Sequence, residues 1–334
     1  MSETHRTGIL AHLAPRPRPQ PSGDPLRAMV SDPFRRKATK TQALSTAARL
    51  ETRTIGLVLP MGHETGQRMT DSFLMEMIGH LTEEVIHRGY DMLFSKIAAP
   101  RKGWLPQLVQ SGRFDGLLML GQSDQHGEIN DLAGQYLPMV VWGERLPGQA
   151  YCSLGVDNVY GGRAATEHLL GLGRQSIRFL GPVHVPEVDS RYRGYLQAMA
   201  QAPHSLLQAG VVTDPIACSF THQSAYEAMH EALSHGEKID ALFCASDVIA
   251  GGARMAIVES RLRVPDDIAL VGFDDVAMAQ NMSPPLSTVK QDLEIAARSM
   301  VDMLFRRMSG EETPSSVIPA RLMIRESTVG ARPV

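Results

Sequence analysis

The sequence predicts an α/β protein of two Rossmann-like lobes, each a parallel sheet with helices on both faces, behind a basic N-terminal arm. Three observations predict it. From Thr54 onward, short apolar runs alternate with helical patterns, the signature of strand–helix–strand units. Several runs, Ile268 to Gly272 among them, are apolar at every position, as in strands covered on both faces. The chain has 334 residues, beyond the roughly 250–300 at which one core stops growing, so two cores are expected.

Residues 1–33 are rich in Pro, Arg, Ser and Gly, and "APRPRPQPSGDP" reads as a disordered arm rather than a packed element. Residues 34–53 form a basic linker. Strands are expected at 54–60, 91–95, 115–120 and 138–143, with helices at 72–88, 102–112 and 125–136. A second series follows, with strands at 153–156, 176–180, 241–245 and 268–272. Its helices fall at 159–172, 190–202, 222–235 and 247–261. The stretch from Asp240 to Gln291 organises the rest. After the apolar run Ala241 to Cys244, Ser246 and Asp247 stand where a helix N-cap belongs, because their oxygens can accept from first-turn N–H groups. Ile249, Ala253, Ala256 and Ile257 follow at helical spacing, and Pro265, Asp266 and Asp267 make the turn back.

In parallel sheets, ligands bind beyond the carboxyl ends of the strands. That rule nominates the segment from Met61 to Phe73, with Asp71 and Phe73, then Gln122, Trp142, Glu144, the stretch from Glu187 to Arg191, Ser246, Asp247, Asp274 and Asp275. Their carboxylate, amide, guanidinium and aromatic groups suit a sugar, whose hydroxyls want charged planar partners and whose C–H faces want an aromatic surface. Bland alternatives stand beside each. Asp274 and Asp275 also fit a turn and helix cap, Asp71 a cap alone, Trp142 a core position, and Arg191 a surface pair with Asp189 or Glu187. "NVYGGRAATEHL" carries paired glycines at a helix start, which fit close helix packing better than phosphate binding.

The runs "RVPDDIALVGFDD" and "PPLSTVKQ" closely resemble the lactose/galactose repressor (LacI/GalR) family of bacterial transcription regulators. The resemblance continues in "FLMEMIGHLTEEVIHRGYDMLF", "RFDGLLMLG" and "LGVDNVYGGRAATEHLLGLGRQSIRFLG", and covers roughly residues 54–328. It implies a periplasmic-binding-protein-like fold of type I, crossed three times by the chain. One lobe would comprise 54–151 plus 285–314, including a returning helix at 291–308, and the other 152–284 plus 315–330. It also implies ligand-binding roles. Arg191, three residues before Gly194, matches the family's sugar-contacting arginine, and Asp274 its ligand-binding aspartate. Asp71 and Phe73 match the opening of the first long helix. Many relatives carry Asn where this chain has Ser246, so the shorter side chain suggests a different or larger ligand.

The family's helix-turn-helix pattern is not recognisable in residues 1–33. The segment 34–60 resembles its hinge, whose leucine wedges into the minor groove. Leu44 matches that wedge, and Arg35, Arg36, Lys37 and Lys40 would lie near phosphates. A disordered basic linker is the alternative. From these features weak, largely unspecific DNA binding is expected, because phosphate contacts carry no sequence information.

Composition narrows the field. Residues 1–56 hold ten Lys/Arg against four Asp/Glu, and the rest 23 against 32, so a basic arm precedes an acidic body. Three scattered cysteines fit reduced thiols. No apolar run approaches the roughly 18–20 residues of a membrane span and no signal peptide is evident, so a cytoplasmic location is expected. The twelve histidines show no H-x-x-x-H or H-E-x-x-H spacing, which argues against a metal site. There is no G-x-S-x-G, G-x-x-x-x-G-K or G-x-G-x-x-G, so neither an enzyme nor a cofactor is expected. The reading is a sugar-responsive transcriptional regulator, a repressor of carbohydrate-utilisation genes. It would bind a mono- or disaccharide between the lobes and control operator affinity as a homodimer. The alternative is a sugar receptor without sequence-specific DNA binding, a truncated regulator or a transport receptor.

Overall fold

The computed structural model describes residues 51–61, 69–98, 101–122, 124–203 and 212–330. The expected hinge residues Arg35, Arg36, Lys37, Lys40 and Leu44 lie outside them. Apolar alternation builds the first run of elements: β1 (Thr54–Met61), α1 (Ser72–His87), β2 (Asp91–Ala98), α2 (Trp104–Gln110), β3 (Gly116–Leu120), α3 (His126–Ala133), β4 (Met139–Trp142) and β5 (Ser153–Val156). The second run is α4 (Asn158–Gly171), β6 (Ile177–Leu180), α5 (Pro186–Gln201), α6 (His222–Ser234), β7 (Ala241–Cys244), α7 (Asp247–Glu259), β8 (Ala269–Asp274), α8 (Ala277–Asn281) and β9 (Ser287–Lys290). The chain ends with α9 (Leu293–Met308), β10 (Ser316–Ile318), β11 (Arg321–Met323) and α10 (Glu326–Val329).

Two sheets result, one ordered β10-β5-β4-β3-β1-β2 and the other β11-β9-β8-β7-β6. Every pairing is parallel except that of β11 with β9. Pleating sends successive side chains to opposite faces. In the first sheet Ile55, Leu57, Leu118 and Val140 face α1 and α9, in one core with Leu81 and Leu304. Val58, Leu117, Met119 and Val141 face the other way, in a core with Val109 and Ile129 of α2 and α3. Because both faces are covered, β3, β4, β6, β7 and β8 are buried at every position, which is why β3, β4 and β7 read as unbroken apolar runs, and β8 does up to its final Asp274.

The lobe boundaries expected from sequence shift at all three crossings. β5 pairs with β4 and so closes the first sheet instead of opening the second. β9 pairs with β8 in the second sheet, and β10 returns to pair with β5 in the first. The chain therefore changes sheet after Val156, after Lys290 and between Ile318 and Arg321, not at 151, 285 and 314. Helix α9 packs on α1, β3 and β4 of the first sheet.

Helices α4 and α5 pack backbone to backbone. A Cβ at Gly162 would collide with the carbonyl of Arg191, and one at Gly194 with that of Val159. The paired glycines of "NVYGG" serve this approach, since Gly161 also leaves room for the ring of Phe273. Gly162→Ala should therefore destabilise the protein by about 1–3 kcal/mol, because the clash is with backbone that cannot swing away. Gly171→Ala, at the end of the same helix with open space around it, should be neutral or stabilising by about 0.5–1 kcal/mol. Urea unfolding of the two variants checks the contrast.

Candidate functional site

Strand ends of the second sheet carry a charged cluster around one buried guanidinium. Arg191, on the second turn of α5, points inward and is almost fully buried. Its Nε donates to Asn158 Oδ1 at 2.9 Å and its Nη1 to the carbonyl of Ala245, just past β7, at 2.6 Å. The guanidinium carbon lies 3.7 Å from the centroid of Phe273, so the cation rests on an aromatic face. Asp274 ends β8 with φ 114°, a conformation costly for a residue with a side chain. Its Oδ1 lies 3.8 Å from Arg191 Nη1 and accepts from Gln291 Nε2 at 2.6 Å, while its carbonyl accepts from Gln291 N. The sequence alternative of a surface pair does not hold for Arg191, because the guanidinium is buried, and Asp189 pairs with Arg193 instead.

From the first sheet, Asp71 caps α1 by accepting from Leu74 N at 3.2 Å. Phe73 is half-buried, its ring centroid 6.4 Å from that of Trp142. Trp142 itself is only 6% exposed and belongs to the core, where it backs Phe73. Beyond β3, Gln122 is fully buried, and its Nε2 donates to the carbonyl of Glu144 and to Tyr151 Oη at 2.8 Å. Its Oε1 has no partner. Glu144 Oε2 accepts from Asn158 Nδ2 at 2.8 Å, tying the end of β4 to the start of α4. A second bridge runs from the backbone N–H of Ala277 on α8 to Glu76 Oε1 on α1, 2.9 Å. The first strand's end, beyond Met61, lies outside the described residues.

Two nominated residues serve the scaffold. Ser246 caps α7 by accepting from Ile249 N. Asp247 is wholly buried, one oxygen accepting from Val276 N at 3.0 Å and the other from Thr288 Oγ1 at 2.5 Å. One oxygen holds the loop after β8 and the other holds β9, so Asp247 braces the scaffold on which the site stands. Asp275 accepts from Arg325 at 2.6 Å. Asn158, Gln291, Tyr151 and Glu76 were not nominated. The strand-end rule would have found Gln291, which follows β9, had that short half-polar strand been recognised.

Electrostatically the cluster is dominated by burial. Asp274 is pushed up from 3.8 to about 7 by desolvation, with Arg191 pulling down, Asp71 and Glu76 pushing up through space, and Gln291 pulling down. Asp247 is raised as well, first by burial and then by Asp274. Burial also raises Glu187, opposed by backbone N–H groups and Arg191 and reinforced by Glu144. Burial lowers Arg191, while Asp274, Glu187, Glu144 and Asp247 act in the other direction.

Residues 166–328 match the periplasmic binding protein-like domain. The HTH-type transcriptional repressor PurR of Klebsiella pneumoniae (strain 342) is 30% identical over 267 residues, spanning 77% of this chain and 76% of that protein. The chain belongs to the LacI family of transcriptional regulators. The regulator CelR of Thermobifida fusca is 35% identical over 223 residues, 64% of this LacI-family chain; the match spans 63% of CelR's own length. Among solved structures, a LacI-family regulator from Sanguibacter keddieii DSM 10542 superposes with TM-score 0.70 at 30% identity, over 84% of this chain and all of that one. A CelR–cellobiose complex does so with TM-score 0.68 at 29% identity, over 83% and 85% of the two chains.

The raised carboxyls set a pH dependence. The folded chain holds the Asp274 proton from the ordinary carboxylate value of 3.8 up to about 7, where the unfolded chain has lost it. The folded state thus binds more protons in that window, and stability falls as pH rises through it. The melting temperature of the ligand-free protein should drop between pH 5 and pH 8, and Asp274→Asn should remove most of that drop in a calorimetric pH series.

Proposed function

We propose that this LacI-family chain is a sugar-responsive repressor whose effector, a mono- or disaccharide, binds between the two sheets' strand ends. The observation that carries the reading is the buried Arg191 beside Asp274, facing Asp71 and Glu76 from the other sheet. A guanidinium fork and a carboxylate held a few ångströms apart suit vicinal hydroxyls, each of which donates and accepts. Half-buried Phe73, backed by Trp142, supplies an aromatic surface for a sugar's C–H face. That a CelR structure is a cellobiose complex supports the choice of ligand class. Among the described residues no helix is long and apolar enough to cross a membrane. The site is read as one of binding, not catalysis: the Ser246 hydroxyl is engaged at a helix cap and Asp247 in the scaffold.

The reading assigns control to a population shift. The bridges Ala277–Glu76 and Asn158–Glu144 join elements of the two sheets. A ligand gripping both sides favours one arrangement of these contacts over others, and that preference changes the affinity for operator DNA. The hinge-like residues around Leu44 would transmit it. In a homodimer, the exposed Met75 (51%) and Ile86 (58%) of α1 would meet the second copy. Leu81 and Val85 of the same helix are committed to the chain's own core.

Two experiments test this reading. In calorimetry against cellobiose, glucose, galactose and ribose, Arg191→Ala and Asp274→Ala should each weaken binding by about 2–4 kcal/mol, tens- to several hundredfold. Unchanged affinity in both variants would place the ligand elsewhere. Sedimentation at micromolar concentration should show a dimer, and a lone species near the chain mass of 36.5 kDa would remove that part.

A further inference from the structure

At the first-sheet end of the same cleft, the polar groups left for a ligand are acceptors. Gln122 is fully buried, yet its Oε1 has no hydrogen-bond partner. The amide cannot profitably turn over, because its Nε2 is spent on the Glu144 carbonyl and on Tyr151 Oη. A buried acceptor without a donor is uncommon and costly, so it calls for an occupant. The Glu187 carboxylate reaches the same place. A Cβ on Gly143 would come 2.6 Å from Gln122 Oε1 and 3.0 Å from Glu187 Oε1, so both oxygens converge on the bare face of that glycine. Glu144, the next residue, adds a second carboxylate whose field acts on the first. The cation facing them is Arg191, which also answers Asp274, and whose Nε and Nη1 are already donating. Among the described residues, donors are scarce here and negative charge is in excess.

We propose that this end of the cleft receives an ammonium group, so that the effector is an amino sugar. Its nitrogen sits against Gln122 Oε1, Glu187 and Glu144, and its hydroxyls go to Arg191 and Asp274. An ammonium fits because it carries three donors and no acceptor, and it brings the missing positive charge. A neutral hydroxyl would satisfy Gln122 but leave two carboxylates facing one guanidinium. The inference rests on the sugar-binding reading of this cleft and narrows its ligand. The competing arrangement is internal: a proton held on Glu187 and donated to Gln122 Oε1, with no amine required.

Calorimetry on the intact protein at pH 7 separates them. Glucosamine, galactosamine and mannosamine are each compared with the parent hexose and with the N-acetyl derivative, in which the charge is gone. At least one amine should bind about tenfold or more tighter than both its neutral counterparts. Glu187→Gln should bring that ratio down to about one. If no amine outcompetes its parent hexose, or if the preference survives Glu187→Gln, the inference is overturned, and the wild-type comparison decides even if the variant does not fold. Failure of every sugar to bind, cellobiose included, would instead sink the sugar reading itself. Neutral sugars binding without an amine preference would leave that reading standing and remove only this one.

Discussion

A buried guanidinium governs this structure. Taking Arg191 out of water costs several kcal/mol unless its donors and charge are answered. The surroundings answer them from four directions: Asn158, the Ala245 carbonyl, the ring of Phe273 and the carboxylate of Asp274. Each answer imposes a further demand. Phe273 can lie under the cation only because Gly161 leaves space for its ring, and α5 can bring Arg191 so deep only because Gly162 and Gly194 let it touch α4. Asp274 reaches the cation from a left-handed backbone that Gln291, through both backbone and side chain, holds in place. Asp247 does the same for the loop that follows, through Val276 and Thr288.

The result is a site poised between charge states. Four carboxylates act on one arginine, and burial resists the ionisation of Asp274, Asp247 and Glu187. A ligand that supplies donors would relieve this. Binding energy then becomes available to choose among arrangements of the two sheets, because the groups it touches come from both. The chain crosses between the sheets three times. Such a connection favours motion about the crossings over separation of the halves.

The parallel architecture was plain in the sequence because buried strands such as Leu117–Leu120 and Ala269–Phe273 have no polar face. Helices α1 to α7 read from their spacing, α9 came from the family likeness, and the short α8 and α10 carry too few residues to show a period. What escaped was short or mixed. β9, β10 and β11 span three or four residues each, and β9 carries Ser, Thr and Lys, so neither length nor pattern marks them. β5 was seen but given to the wrong sheet, since an apolar run says nothing about its neighbour. Arg191, Asp274, Gln122 and Glu187 could be nominated from strand ends and from a family likeness. The unpartnered Oε1 of Gln122 could not, because satisfaction of a buried atom is a property of three-dimensional neighbours. The partners of Asp247 were hidden for the same reason, since Val276 and Thr288 meet it only once the chain has folded.

The claim on which the account turns is that Arg191 and Asp274 form the floor of an effector site shared by both sheets. A crystal structure of the protein with a bound sugar tests it most directly. The account predicts ligand hydroxyls within hydrogen-bonding distance of the Arg191 guanidinium and the Asp274 carboxylate, with Phe73 against the ring. A sugar bound elsewhere, with Arg191 and Asp274 keeping only their present protein partners, would contradict it.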